Sequence, residues 1–254
     1  MERITSSHNP LVQHMRKLQT SRAYRESCGE FVADGWKLLE EALKWYPEVT
    51  AVLTSEPERC PALPSSARLV EVPASLMQSV SSMRTPQGVL FSLRLPQEGA
   101  LRVQPGMLLL DRIQDPGNLG TILRTADAFD LPVLLTNGCA DPFSEKTVRA
   151  SMGAAVRIPV IETGAMPQAI ALLREKGITC LAAALYQSQP LSAAKAGYPG
   201  GVCVVIGSEG QGLTDETIAA CNSTVRIPMT DRVESLNAGI AGSILLWHFR
   251  EESL

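Results

Sequence analysis

Residues 107–129 read MLLLDRIQDPGNLGTILRTADAF, and this stretch decides the fold class. Met107 to Leu110 is an unbroken apolar run, as expected of a strand buried on both faces. Asp115-Pro116-Gly117 then turns the chain, and Leu119, Ile122, Leu123, Ala126 and Phe129 recur at helical spacing, with Asn118 placed to cap the helix. A strand running through a tight turn into a helix is the repeating element of a parallel α/β sheet.

The alternation continues downstream. Apolar strands are predicted at Pro132–Thr136, Val156–Val160, Ile178–Leu185, Val202–Ile206 and Val225–Ile227, with helices near 165–176 and 214–221. A last helix is predicted from Leu236 to Phe249, capped by Ser235. Together they give a mostly parallel sheet covered on both faces, whose ligands bind beyond the carboxyl ends of its strands. Upstream, strands at Phe31–Ala33, Val49–Leu53, Leu69–Val72 and Val89–Leu93 and a helical stripe through Trp36, Leu39, Ala42 and Leu43 suggest a smaller α/β domain. The expected division is 1–95, a linker at 96–104, and 105–254.

With 254 residues, 45% of them hydrophobic and 19% charged, the chain can bury a sizeable core, which excludes a mainly disordered protein. No apolar run is long enough to cross a bilayer and the start lacks a signal-peptide core, so a soluble cytoplasmic protein without membrane partners is expected. Six cysteines (Cys28, Cys60, Cys139, Cys180, Cys203, Cys221) are scattered without a C-x-x-C pair and read as reduced thiols. His8, His14 and His248 are too few and dispersed for a metal centre, so no metal is expected. A net charge of -3 says nothing of nucleic acid, but residues 1–25 hold Arg3, Arg16, Lys17, Arg22 and Arg25 against Glu2 alone. On charge alone this basic patch is equally a solvated helix face or a phosphate-binding surface.

Three loops at predicted strand ends carry residues that packing does not require. The first holds Asn118 and, on the following helix, Arg124, which shares a face with Thr121 and should point away from the core, paired with Asp127 or free to meet a ligand. The second is Gly207-Ser208-Glu209-Gly210-Gln211-Gly212, whose glycine order is not that of a dinucleotide loop and whose Glu209 would repel a pyrophosphate. The third runs from Arg226-Ile227-Pro228-Met229 to Ser235-Leu236-Asn237. Singly these are a surface arginine, a glycine turn and a helix cap; jointly they form a constellation that chance rarely assembles.

The order and content of these segments resemble the SPOUT superfamily, and within it the SpoU/TrmH-type RNA 2'-O-ribose methyltransferases, over nearly the whole chain. The resemblance rests on Asp115-Pro116-Gly117-Asn118 with Arg124, on Ile206 to Gly212, and on Ile227-Pro228-Met229 with Ser235-Leu236-Asn237. In the first half, Ile4-Thr5-Ser6 with Asn9, then Arg22 and Arg25, then Phe31 to Gly35 with Asp34 before the glycine, resemble the family's RNA substrate-binding domain. It implies a SPOUT-type parallel sheet tied in a trefoil knot, an N-terminal L30e-like domain, and a homodimer with its sites near the subunit boundary. The small residues Ala238, Gly239, Ala241, Gly242 and Ser243 would suit close helix packing in that dimer.

S-adenosylmethionine is the implied methyl donor, held by backbone at Gly207, Ile227 and Leu236 with Met229 lining the pocket, and Thr136 and Ala184 as further candidates. The implied catalytic set is Arg124, Asn118, Glu209, Ser235 and Asn237. Guanidinium is costly to neutralise, so Arg124 is expected to grip a phosphate beside the target ribose and lower the 2'-hydroxyl pKa, while the others orient it. RNA capture falls to Arg16, Lys17, Arg22 and Arg25. Ribosomal RNA is the expected substrate; transfer RNA, or a non-catalytic RNA-binding protein of the same fold, are the alternatives, and a nucleotide-dependent oxidoreductase is disfavoured by the glycine order.

Overall fold

The computed structural model describes residues 2–96, 104–136, 138–185, 187–195, 198 and 200–250. Residues 97–103 of the expected linker lie outside the described residues. The chain divides into two compact units, Met1–Gln97 with Phe143–Arg157, and Glu98–Pro142 with Ile158–Leu254.

The first unit opens with β1 (Glu2–Arg3), α1 (Pro10–Thr20) and α2 (Arg22–Cys28). It continues through β2 (Glu30–Asp34), α3 (Trp36–Trp45), β3 (Val49–Thr54), β4 (Arg68–Glu71), α4 (Ala74–Val80) and β5 (Val89–Arg94). Its five strands pair in the order β1-β4-β3-β5-β2, with β5 antiparallel to both neighbours. Asn9 caps α1 and Pro10 begins it without losing a needed N–H.

The second unit starts with β6 (Leu108–Leu110), α5 (Pro116–Ala128) and β7 (Val133–Thr136). The chain then contributes α6 (Glu145–Ala150) to the first unit, where Phe143, Val148 and Val156 join Phe31, Trp36 and Phe91 in one apolar cluster. It returns as β8 (Val160–Thr163), α7 (Met166–Glu175), β9 (Thr179–Ala183), β10 (Gln189–Pro190) and β11 (Val202–Ile206). The last elements are α8 (Asp215–Ala220), β12 (Ser223–Arg226) and α9 (Ala238–Arg250). The seven strands are ordered β10-β12-β9-β11-β6-β7-β8 and all are parallel. β6 and β11 are buried along their whole length, which is why both read as continuous apolar runs.

Three local expectations are corrected. The strand expected at Val156–Val160 is displaced: Ala154–Val156 is a 3-10 turn serving the first unit's core, and β8 begins only at Val160, the last residue of that range. α5 is capped by Asp115, whose carboxylate accepts the Asn118 N–H at 2.8 Å, and α9 by Asn237, which accepts from Ile240 N at 3.2 Å. Asn118 and Ser235 therefore cap neither helix. Gly239 and Gly242, expected at a helix contact between two chains, instead face α5 of the same chain, where a Cβ would come within 3.1 Å of Thr121 and 2.8 Å of Ile122.

Candidate active site

Because the strands are parallel, the residues after them share one edge of the sheet. Asp111 follows β6, Gly207 follows β11, Ala184 follows β9 and Ile227 follows β12, with neighbouring strands about 4.8 Å apart. The first two loops are stapled together. Glu209 reaches across to accept from Asn118 Nδ2 at 2.9 Å, from Gln114 N at 3.3 Å and from Asp115 N at 3.4 Å. Asn237, brought back by α9, donates from Nδ2 to Asn118 Oδ1 at 2.7 Å. Desolvation pushes the Glu209 carboxyl up, but the Asn118 amide, its own backbone N–H and those of Gln114 and Asp115 together outweigh it, and the carboxyl ends below its ordinary value. It is ionised at neutral pH and accepts hydrogen bonds only.

Asn118, Glu209 and Asn237 are thus joined in one chain of hydrogen bonds, and two other expected residues are not part of it. Arg124 is exposed on α5, six residues or about 9 Å of helix rise from Asn118, and makes no hydrogen bond or ion pair among the described residues. Ser235 is likewise exposed and unbonded among them.

The candidate donor residues separate into two groups. The main-chain groups of Gly207, Ile227, Met229 and Leu236 have no hydrogen-bond partner among the described residues, although Gly207 is buried and the other three half-buried. Gly207 is glycine for a steric reason: a Cβ there would stand 2.2 Å from the Gly212 carbonyl carbon and 2.3 Å from Leu213 N. Ala184, by contrast, spends its N–H on Val225 O at 3.0 Å, and the Thr136 hydroxyl is tied to Asp111 and Arg112.

One group at the sheet edge had no part in the expected set. Asp111 is buried and accepts from Thr136 Oγ1 at 3.4 Å and from Thr217 Oγ1, on α8, at 3.2 Å. Its neighbour Arg112 donates from Nη2 to Gly212 O at 3.2 Å. An acidic residue directly after an apolar strand was the available signal for both.

In the first unit the basic patch resolves unevenly. Lys17 is exposed with its ammonium 5.4 Å from the Tyr24 ring centre, and Arg16 is half-exposed beside Ser79. Arg22 is held by Glu26 at 2.8 Å. Arg25 departs from expectation: its side chain is buried, with Nη1 donating to Leu18 O, so it ties α2 to α1 from inside rather than presenting a surface charge. Asp34 is also buried; its Oδ2 accepts from Ser81 Oγ at 2.5 Å while Oδ1 has no partner. Burial, with the Glu145 carboxylate adding to it and Ser81 and Arg149 opposing, pushes its carboxyl up to about 6. All six cysteines are free, and burial raises the Cys180 thiol to about 11.

Residues 105–247 match the SpoU rRNA Methylase family, and residues 9–90 match the MRM3-like substrate binding domain. The 23S rRNA (guanosine(2553)-2'-O)-methyltransferase RlmP of Bacillus subtilis is 32% identical over 257 residues, covering 98% of this chain and 100% of that protein. Among solved structures, an AdoMet-bound rRNA methyltransferase from Sinorhizobium meliloti aligns with a TM-score of 0.86 at 30% identity, over 100% of this chain and 98% of the other. A putative RNA methyltransferase of the TrmH family from Porphyromonas gingivalis aligns at 0.84 and 36% identity, over 95% and 97%. With its second half inside that family's domain and a relative matched along its whole length, the chain belongs to the SpoU rRNA methylase family.

Proposed function

We propose that the chain methylates a ribose 2'-hydroxyl in structured RNA, ribosomal RNA in particular, with S-adenosylmethionine as donor. The observation that carries this reading is the Asn237–Asn118–Glu209 chain lying beside buried and half-buried main-chain groups that have no partner of their own. Gly207, Ile227 and Leu236 offer those groups to the donor, with Met229 as apolar lining; Ala184 and Thr136 are already engaged and contribute shape.

S-adenosylmethionine supplies a methyl group already activated on a sulfonium, so the residues of this chain have to prepare the hydroxyl. Arg124 is free to grip the phosphate next to the target ribose and to lower the 2'-hydroxyl pKa electrostatically. As the new O–CH3 bond forms and the sulfonium S–CH3 bond breaks, the hydroxyl proton leaves to solvent water; Glu209, held below its ordinary carboxyl value, is too weak a base to take it and instead fixes the amide orientation of Asn118 and, through it, of Asn237. Ser235 is near enough in sequence to Asn237 to help orient the ribose. RNA is chosen over DNA because the 2'-hydroxyl is itself the nucleophile.

The same reading extends to the whole chain. Residues 1–95, with 143–157 packed into the same unit, capture RNA and the rest of 105–254 holds the chemistry, and relatives named for ribosomal RNA favour that substrate over transfer RNA. The strand order, in which β11 enters between β9 and β6 and α9 returns onto α5, supports a knotted C-terminal segment. A homodimer is supported by the exposed Ile240 and Trp247, seven residues apart on one face of α9. A cytoplasmic setting fits ribosomal RNA; no helix among the described residues is long and apolar enough to cross a membrane.

The test is to map ribose methylation across total RNA from cells with and without the gene, then to restore the missing mark with purified protein and S-adenosylmethionine. Identical maps would sink the reading.

A further inference from the structure

Arg112 sits in the left-handed region at φ +59, where a residue with a Cβ is strained and glycine is not. The guanidinium shows what this strained position achieves. Its Nε lies 3.4 Å from Asp111 Oδ1 and its Nη2 donates to Gly212 O, the residue that closes the loop begun by Gly207. Gly138 leaves room for the stem, since a Cβ there would meet Arg112 Cγ at 2.7 Å. Asp111 in turn is fixed from β7 by Thr136 and from α8 by Thr217. Arg112 therefore crosses from the β6–α5 loop to the β11–α8 loop, while Glu209 crosses in the opposite direction. The loop is pinned at its tip by one side chain and at its base by the other, and it folds on itself through Gly212 N donating to Ser208 O at 2.9 Å.

We infer that Arg112, oriented by Asp111, is a positioning residue that latches the Gly207–Gly212 loop in its donor-binding shape. The inference rests on the donor site proposed above. Glu209 and Asn118 serve the hydroxyl; Arg112 serves the donor. Without the latch the Gly207 main-chain groups lose their fixed aim, and donor affinity falls while the acceptor machinery stays in place.

Arg112→Gly separates this role from simple stability, because it relieves the backbone strain while removing the guanidinium. Binding of S-adenosylhomocysteine is measured by calorimetry. Transfer of labelled methyl from S-adenosylmethionine is measured on total RNA from cells lacking the gene. Arg112→Gly should raise the Kd for S-adenosylhomocysteine and the KM for S-adenosylmethionine by about 10-fold, the size of one lost charged hydrogen bond. It should leave kcat within about twofold and the melting temperature unchanged or higher. Arg112→Lys should recover part of the affinity. Asp111→Asn should weaken donor binding in the parent and add nothing in the Arg112→Gly background. Wild-type protein that binds S-adenosylhomocysteine, with Arg112→Gly binding it equally well or losing only kcat, would overturn the latch alone. Wild-type protein that binds neither compound overturns the donor reading and the latch with it.

Discussion

The Asn237 amide donates to Asn118 Oδ1 across 119 residues of chain, and this bond has a fixed direction. Ionised Glu209 accepts only, so Asn118 must turn its NH2 toward Glu209 and its oxygen toward Asn237. The Asn237 oxygen is then left for Ile240 N at the start of α9. One carboxylate and one helix N-terminus, at opposite ends, enforce the same polarity on both amides.

Asn237→Ser tests that chain, because serine is as good a helix cap but too short to reach Asn118. Thermal stability should be held within about 0.5 kcal/mol, and kcat should fall by about 10²-fold, the loss typical of one oriented donor. A fall in melting temperature with kcat preserved would show that Asn237 is only a cap.

Arg124→Ala should leave stability and S-adenosylhomocysteine affinity as in the parent, since the side chain is exposed and bonds to nothing among the described residues. Methyl transfer should fall by about 10²–10⁴-fold, and Arg124→Lys should restore little, because an ammonium lacks the bidentate fork. Turnover within about threefold of the parent would refute the assignment.

Asp34 makes stability depend on pH. Folding raises its carboxyl from 3.8 to about 6, so between those values the folded chain holds the proton more tightly than the unfolded one. Its contribution is therefore favourable below about pH 4 and is lost as pH rises through 6. Asp34→Asn should stabilise the protein above pH 6.5 by on the order of 2 kcal/mol, and the advantage should vanish near pH 4. Urea melts of both proteins across this range check it; a difference independent of pH would contradict the burial argument.

RNA capture should depend on Arg16 and Lys17 and not on Arg25. Alanine at either of the first two should weaken binding to ribosomal RNA from cells lacking the gene, and flatten the log-log salt slope by about 0.7–0.9 per contact. Arg25→Ala should instead cost about 2 kcal/mol of stability by leaving the buried Leu18 carbonyl without its donor. Equal slopes for all three variants would place the RNA elsewhere.

Ile240→Glu combined with Trp247→Glu should give a folded monomer by sedimentation, with methyl transfer lost if the site needs two copies. A wild-type monomer fully active at micromolar concentration would end the dimer proposal.

The parallel sheet was legible because β6, β9 and β11 are apolar on both faces, and burial on both faces leaves no alternation to confuse with an antiparallel strand. Asn118, Glu209 and Asn237 were legible as a set because each follows a strand and none is needed for packing. What escaped was settled by packing between distant segments. Charge alone puts Arg25 on the surface, and only the crossing of α1 and α2 buries it. Ser235 and Asn118 are good caps by residue type, but where a helix starts is decided by the turn before it, and Asp115 and Asn237 stand at those turns. The Val156–Val160 run looked like a strand because half of it belongs to another core.

That excursion, residues 143–157, means that the polypeptide passes between its two units three times rather than once. Neither half is a cassette. Residues 105–254 expressed alone would carry Phe143, Val148 and Val156 stripped of the surface they cover, an apolar patch prone to aggregation. A single cut at any bond from 98 to 142 should leave two fragments that stay together, because the second still carries part of the first unit's core. Exchanging the first unit for that of another family member would therefore require two grafts, at 1–97 and at 143–157, to be made together.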